Sequence, residues 1–243
     1  MDYQMTDIHM HLIPGVDDGA MDTEMALRML DLAREQGIHT IFATPHSGAF
    51  DVFGEETRKR YRSLLIRTTC CFQDMALYLG CEVYCNRHGM NRVPASLDTG
   101  RYPSMNGTRY VLAEFSQWAT PETARICTEA LIRGGWKPII AHMERYHNLR
   151  QNGGLVDTLR EMGCRIQINT YSVFGEEDPA IRNWARQLVA EKKVDFLGTD
   201  AHRTSHRPPS ARQGLNWLYK NHDRAYIDAI AFGNARRLLI DRA

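Results

Sequence analysis

Apolar runs and amphipathic stretches alternate along this chain about seven times, which predicts strands interleaved with helices. Residues 5–13 are largely apolar and stop at Pro14-Gly15, the profile of a buried strand. Asp17-Asp18-Gly19 reads as a loop. Thr23 is then expected to cap a helix whose apolar positions Met25, Leu27, Met29, Leu30, Leu32 and Ala33 run on to Gly37. Residues 38–44 predict a strand that ends in Pro45-His46. The stretch 47–58 reads as loop, followed by a helix through Tyr61, Leu64, Leu65 and Ile66. Residues 75–84 predict one strand. Residues 86–108, rich in Gly, Pro, Asn and Ser, predict an irregular excursion. Further strands are expected over 110–115, 138–142, 165–169 and 194–200. Helices are expected from Pro121, through Leu155 to Leu159, over 179–191, near 215–219 and over 226–239.

Such alternation predicts parallel strands joined by helical crossovers. No Gly-rich nucleotide loop follows the first strand, so the expectation is a barrel-like α/β sheet rather than an open one. Neither a composition break nor a linker divides the chain, so 1–243 is expected to form a single domain. Composition changes this picture little. With 43% hydrophobic and 24% charged residues, it matches an ordinary globular protein and excludes a disordered chain. A net charge of +1 offers no basic field for nucleic acid. No apolar run approaches the roughly 18 residues of a membrane span, and no secretory signal opens the chain. Cysteines at 70, 71, 81, 85, 127 and 164 form no CxxC pair, which suits reduced thiols in the cytoplasm.

Candidate chemistry changes it a great deal. Alternate strand residues share a face, so His9 and His11 point the same way, about 7 Å apart along the strand. His46 ends the second predicted strand, and Glu82 lies late in the third. Glu114 and His142 end the next two, and Asp200 and His202 end the last. In a parallel barrel those ends share one face, where chemistry is built. Polar residues favour strand ends, which accounts for one or two of these. Eight flanked by apolar runs need partners, and a multinuclear metal site supplies them. Mixed His and carboxylate donors suit Mn, Fe or Zn, and so many exceed the needs of one ion, so two or three are expected. Glu82 or Glu114 could bridge a pair. Asp18 is either a further ligand or a turn residue. Arg145 and Arg207 stand three and five residues beyond His142 and His202, and guanidinium forks bind phosphate oxygens. His39, His88, His147, His206 and His222 fall in starts, loops or helices and are expected to be structural or solvated.

Several segments carry a family resemblance: Asp7-Ile8-His9-Met10-His11-Leu12-Ile13-Pro14-Gly15-Val16-Asp17-Asp18-Gly19, Ala43-Thr44-Pro45-His46, Gly80-Cys81-Glu82-Val83-Tyr84, Ala113-Glu114-Phe115-Ser116, Ile140-Ala141-His142-Met143-Glu144-Arg145-Tyr146, Gly198-Thr199-Asp200-Ala201-His202, Arg207-Pro208-Pro209 and Asn234-Ala235-Arg236-Arg237-Leu238-Leu239. In this order they resemble the polymerase-and-histidinol-phosphatase (PHP) metallophosphoesterases. Within these the chain is most similar to the bacterial protein-tyrosine phosphatases of capsular and exopolysaccharide biosynthesis (CpsB/CapC-like). The resemblance implies a distorted seven-stranded α/β barrel of the PHP fold. It implies three divalent metal ions, usually manganese, held by His9, His11, Asp18, His46, Glu82, Glu114, His142, Asp200 and His202. It implies that Arg145 and Arg207 hold phosphate, and that the substrate is the phosphotyrosine-rich tail of a bacterial tyrosine kinase. Ser47 departs from the family, whose second-strand histidine is often followed by another basic residue. The stretches 47–60 and 86–108 match poorly and are expected to border the substrate. A small-molecule phosphatase acting on histidinol phosphate or a sugar phosphate would use the same site. A metal-bearing interaction module would keep the ligands without turnover. Cys-x5-Arg, the signature of cysteine phosphatases, occurs at Cys81 to Arg87 and Cys127 to Arg133, in neither case in a glycine-rich loop between strand and helix. Outer helices leave a homo-oligomer open.

Overall fold

Most strand residues are buried, as they are where helices cover parallel sheets. The computed structural model describes residues 4–175 and 178–240. In order, β1 is Met5–Met10, α1 Thr23–Glu35, β2 Ile38–Ala43, α2 Gly48–Cys71, β3 Ala76–Leu79 and β4 Glu82–Tyr84. Next come α3 (Val93–Asp98), β5 (Tyr110–Glu114), α4 (Pro121–Arg133), β6 (Lys137–Ile140), α5 (His147–Arg150), α6 (Leu155–Glu161) and β7 (Arg165–Asn169). The described chain closes with α7 (Pro179–Ala190), β8 (Phe196–Gly198), α8 (Arg212–Asn221), α9 (Arg224–Asp228) and α10 (Arg237–Ile240).

All strand pairs are parallel. One sheet runs β1-β2-β3 and the other β4-β5-β6-β7-β8. The expected strand 75–84 is divided, because the chain turns a corner at Gly80-Cys81 and changes partners from β2 to β5. A Cβ at Gly80 would fall 2.8 Å from Met105 Sδ and 2.9 Å from Thr44 Cγ2, so this corner needs a bare Cα. The described residues therefore hold eight strands, one more than the resemblance implies. The sheets meet at two seams, one where the ends of β1 and β8 meet and the other between the segment after β2 and the start of β4. His11 N donates to Ala201 O (2.9 Å) and Asp200 N to His9 O (2.8 Å). Across the other seam, Glu82 N donates to Pro45 O (3.0 Å) and Ser47 N to Glu82 O (2.9 Å).

Three local expectations are corrected. Asp22, not Thr23, caps α1, its carboxylate accepting from Met25 N at 2.8 Å. The stretch 47–58 is helical from Gly48 onwards, because Ala49 and Phe50 are buried and anchor the first turn. Its loop-like composition survives as a kink at Phe53 (φ −129°, ψ 37°), and Thr57 Oγ1 donates to Ala49 O across the break at 2.7 Å. The excursion 86–108 contains α3, which buries Val93 and Leu97 and carries a proline in its first turn. One apolar cluster fills the space between sheets and helices. A second draws Ile8, Phe42, Leu112, Ile139 and Phe196 from both sheets, with Leu238 of α10 packed on them. Among the described residues no helix is long and apolar enough to cross a membrane.

Candidate metal centre

β1 delivers His9 at its penultimate position and His11 just beyond its end, where the backbone pairs with the segment after β8. Their Nε2 atoms lie 3.2 Å apart. Asp7 anchors this stretch from below, wholly buried and accepting from the amides of His9 and Thr199, each at 3.0 Å, and from the Thr199 hydroxyl. Gly19 lies against His11 so closely that a Cβ there would be 2.5 Å from His11 Cβ and would collide with the His11 carbonyl.

Glu82, at the first position of β4, is the hub. Its buried carboxylate lies 3.1 Å from His9 Nε2, 3.3 Å from His11 Nε2, 2.9 Å from His46 Nδ1 and 2.9 Å from His142 Nε2. Glu114, at the end of β5, faces His46 Nδ1 at 3.6 Å and His142 Nε2 at 3.8 Å. Asp200 Oδ1 faces His9 and His11 at 3.5 and 3.6 Å. Asp18 Oδ1 faces His46 Nε2 at 3.5 Å and His202 Nε2 at 3.4 Å. All nine expected donors thus come together. Among the described residues, seven of them form three overlapping groups whose donor atoms lie within 4.8 Å of one another: His11, Asp18, His46 and His202; His9, His11 and Glu82; and His46, Glu82 and Glu114. His142 adjoins Glu82 and Glu114, and Asp200 Oδ1 adjoins His9, His11 and His202.

The electrostatics fit divalent cations. Burial opposes charge on His11, yet hydrogen bonds to Asp17 and Glu82 prevail and push its imidazolium up to about 10. Burial also opposes charge on His46, and Glu114 and Glu82 raise it to about 11. Glu82 stays well below the usual carboxylate range, despite burial, because four imidazoles surround it. The acids therefore demand positive charge in their midst, which protons meet as cations would. His202 goes the other way: burial and the charge of His11 bring it down to about 4, leaving a neutral imidazole with a lone pair to give.

Arg145 and Arg207 meet at one carboxylate oxygen on the rim of this centre. Arg145 Nη1 donates to Asp200 Oδ2 at 3.1 Å, Arg207 Nη2 pairs with the same oxygen, and Arg207 Nη1 lies 3.2 Å from His202 Nε2. Both arginines line a cavity of about 570 Å³ with Asn169, Tyr171, His206 and Pro208. Three residues here hold left-handed backbone: His142 (φ +30°), Asp200 (φ +53°) and Arg207 (φ +54°). Strain of this kind concentrates where side chains must be aimed.

Several supporting residues escape the sequence reading. Asp17 accepts from His11 Nδ1 (2.8 Å), Gly19 N (3.0 Å) and His46 N (3.1 Å). Burial would raise its pKa, but the His11 hydrogen bond and charge lower it to about 2. With an ion in place of the proton on Nε2, the hydrogen bond from Nδ1 to Asp17 would leave Nε2 of His11 for the centre. Gln167 Oε1 lies 3.2 Å from His9 Nδ1 and accepts from His142 N at 2.8 Å. Asn169 Nδ2 donates to Asp200 Oδ2 at 3.1 Å. Their signal is the polar alternation Gln167-Ile168-Asn169 in an otherwise apolar strand. Neither cysteine motif is primed for nucleophilic attack. Burial, and then the charge of Glu82, raises the Cys81 thiol well above its ordinary range, and burial raises Cys127 to about 11.

Parallel strands that gather imidazoles and carboxylates at their carboxyl ends, with two arginines beside them, define the layout of a metal-dependent hydrolase. The model of one family, described as capsular polysaccharide synthesis, CpsB/CapC, matches residues 5–240, and the chain belongs to that family. It is 28% identical over 245 residues to the tyrosine-protein phosphatase CpsB of Streptococcus pneumoniae, covering 98% of this chain and 99% of the relative. It is 31% identical over 218 residues to the tyrosine-protein phosphatase YwqE of Bacillus subtilis (strain 168), covering 89% and 84%. Crystal structures of YwqE from Bacillus subtilis and CpsB from Streptococcus pneumoniae, described as unique metal-dependent tyrosine phosphatases, include a chain that superposes with a TM-score of 0.86. That chain is 29% identical, with 98% of this chain and 96% of that one covered.

Proposed function

We propose that this protein is a metal-dependent phosphoester hydrolase, a protein-tyrosine phosphatase whose substrate is a phosphotyrosyl protein of the polysaccharide-export machinery, a bacterial tyrosine kinase. One observation carries the reading: Asp200 turns Oδ1 to the imidazole cluster and Oδ2 to both arginines, so phosphate-binding groups and metal donors share one carboxylate. The two sheets, joined at both seams, are read as one distorted barrel and one domain, and the free cysteines suit a reducing cytoplasm.

Three ions, manganese in our reading, would be held by His9, His11, Asp18, His46, Glu82, Glu114, His142, Asp200 and His202. When bound, divalent ions acidify a water toward neutral pKa and take up charge on phosphoryl oxygens. Arg145 and Arg207 each present a planar fork of donors and grip the remaining phosphoryl oxygens. Gln167 and Asp17 keep His9 and His11 turned toward the centre. A phenolate leaving group, with a pKa of about 10, departs with less protonation than an alkoxide requires.

The test is hydrolysis of a phosphotyrosyl peptide by manganese-loaded protein, by chelated protein and by Arg145→Ala. Chelation should abolish turnover and a thiol alkylator should not. Arg145→Ala should lower kcat/KM by about a hundredfold while metal content holds. A variant that loses its metal yet keeps full turnover per bound ion refutes the role of Arg145. Competition with histidinol phosphate separates protein from small-molecule substrates.

A further inference from the structure

Among the described residues that line the cavity beside the arginines, Tyr171 contributes a phenol ring and His206 an imidazole. We infer that Tyr171 is a specificity-determining residue, the aromatic face against which the substrate's phenyl ring rests while Arg145 and Arg207 hold its phosphate. This inference deepens the phosphatase reading and rests on it.

Tyr171 is built as a fixed surface rather than a loose side chain. It opens the 3-10 turn Tyr171–Val173 directly after β7. Its ring lies over Gly175, where a Cβ would collide with Cζ and Cε1 and come within 2.6 Å of Cε2. Phe174 meets the ring edge-on, with centroids 5.4 Å apart at 72°. Backbone and Phe174 thus back the ring, yet 37% of the residue stays exposed. An aromatic group propped in this way is held in place at little cost in rotamer entropy.

Its turn is tied to both phosphate-binding loops. Glu144, the immediate neighbour of Arg145, is buried and accepts from Asn169 N at 3.0 Å and from the Ser172 hydroxyl at 2.8 Å. Asn169 also holds Asp200 Oδ2, the oxygen both arginines reach. On the other side, Thr170 Oγ1 donates to Ser210 O at 2.6 Å, anchoring the turn to the loop that carries Arg207 and Pro208. The spacing between the Tyr171 ring and the two guanidinium groups is therefore set by the fold. A phosphate joined directly to a ring can use both grips together, and an alkyl phosphate of the same charge can use only one. Offset aromatic pairs favour the aryl ester beyond the area they bury.

Two variants and two readouts test this. In the metal-loaded enzyme, Tyr171→Ala should lower kcat/KM for a phosphotyrosyl peptide about tenfold. It should leave a phosphoseryl peptide of the same sequence within about twofold, and Tyr171→Phe should keep the unmutated preference. At equilibrium, unmutated protein should bind phenylphosphonate more tightly than methylphosphonate, and Tyr171→Ala should bind the two alike. Equal losses on both peptides, or no loss on either, overturn the inference, as does a phenyl preference that survives in Tyr171→Ala. Should the unmutated protein hydrolyse no phosphoester, the phosphatase reading fails, and the phosphonate pair still decides the role of Tyr171.

Discussion

At the scale of single residues, the buried aspartate under the centre makes the sharpest claim. Burial pushes Asp7 up to about 6 from its ordinary 3.8, against the hydrogen bonds from Thr199 and His9 that favour its charge. Between those values the folded protein keeps a proton that the unfolded chain has lost. The stability this contributes is full below about pH 4 and is lost as pH rises through about 6. In chelator, the stability of the unmutated chain minus that of Asp7→Asn should therefore fall by about 3 kcal/mol across that window, as read by urea unfolding at a series of pH values. Residue chemistry was legible in part. Eight of the nine donors stand out because each is a His or acid late in an apolar run or where one stops, and Asp18 came as a ligand only with the family resemblance. Asp7 sits inside such a run, and its charge alone, among Thr6, Ile8 and Met10, was the available signal that it must find donors. Asp17 gave less, since one of two adjacent loop aspartates looks like the other. Only folding puts Asp17 under His11 Nδ1 while Asp18 turns toward His46 and His202.

Among the elements, the turn after β1 is the tightest fit. Gly19→Ala should push its methyl into His11 and shift the end of the strand. About 2 kcal/mol of stability should go, together with bound metal, checked by thermal unfolding and elemental analysis of the same sample. A variant that keeps full metal content would show that His11 tolerates the displacement. Element boundaries were legible wherever a period held, as in β7 or α4. They failed where tertiary contacts overrode composition. Gly48 and Gly54 make the start of α2 look irregular, and burial of Ala49 and Phe50 makes it helical. Gly80 looks like an ordinary strand glycine, and its corner is set by Met105 and Thr44, side chains distant in sequence.

For the whole molecule, the centre joins the two sheets. His9 lies in the three-stranded sheet, with His11 and His46 just beyond its strand ends, and Glu82 and Glu114 lie in the five-stranded sheet, with His142, Asp200 and His202 just beyond its strand ends. Ions bound among them would brace both seams. At a hundred times its Kd each ion adds about 2.7 kcal/mol. Chelation should then lower Tm by about 5–10 °C per ion, measured by calorimetry with and without EDTA. An unchanged Tm would mean that the donors hold no ion in solution. The left-handed backbone at His142, Asp200 and Arg207 matters at this scale too. Each such bend costs about 1 kcal/mol in a fold whose total margin is about 5–15 kcal/mol. Glycine would relieve any of them. At Arg207, which gives no ligand to an ion, a laboratory selection for heat tolerance would drift toward glycine, and its winners would be sturdier proteins stripped of their trade.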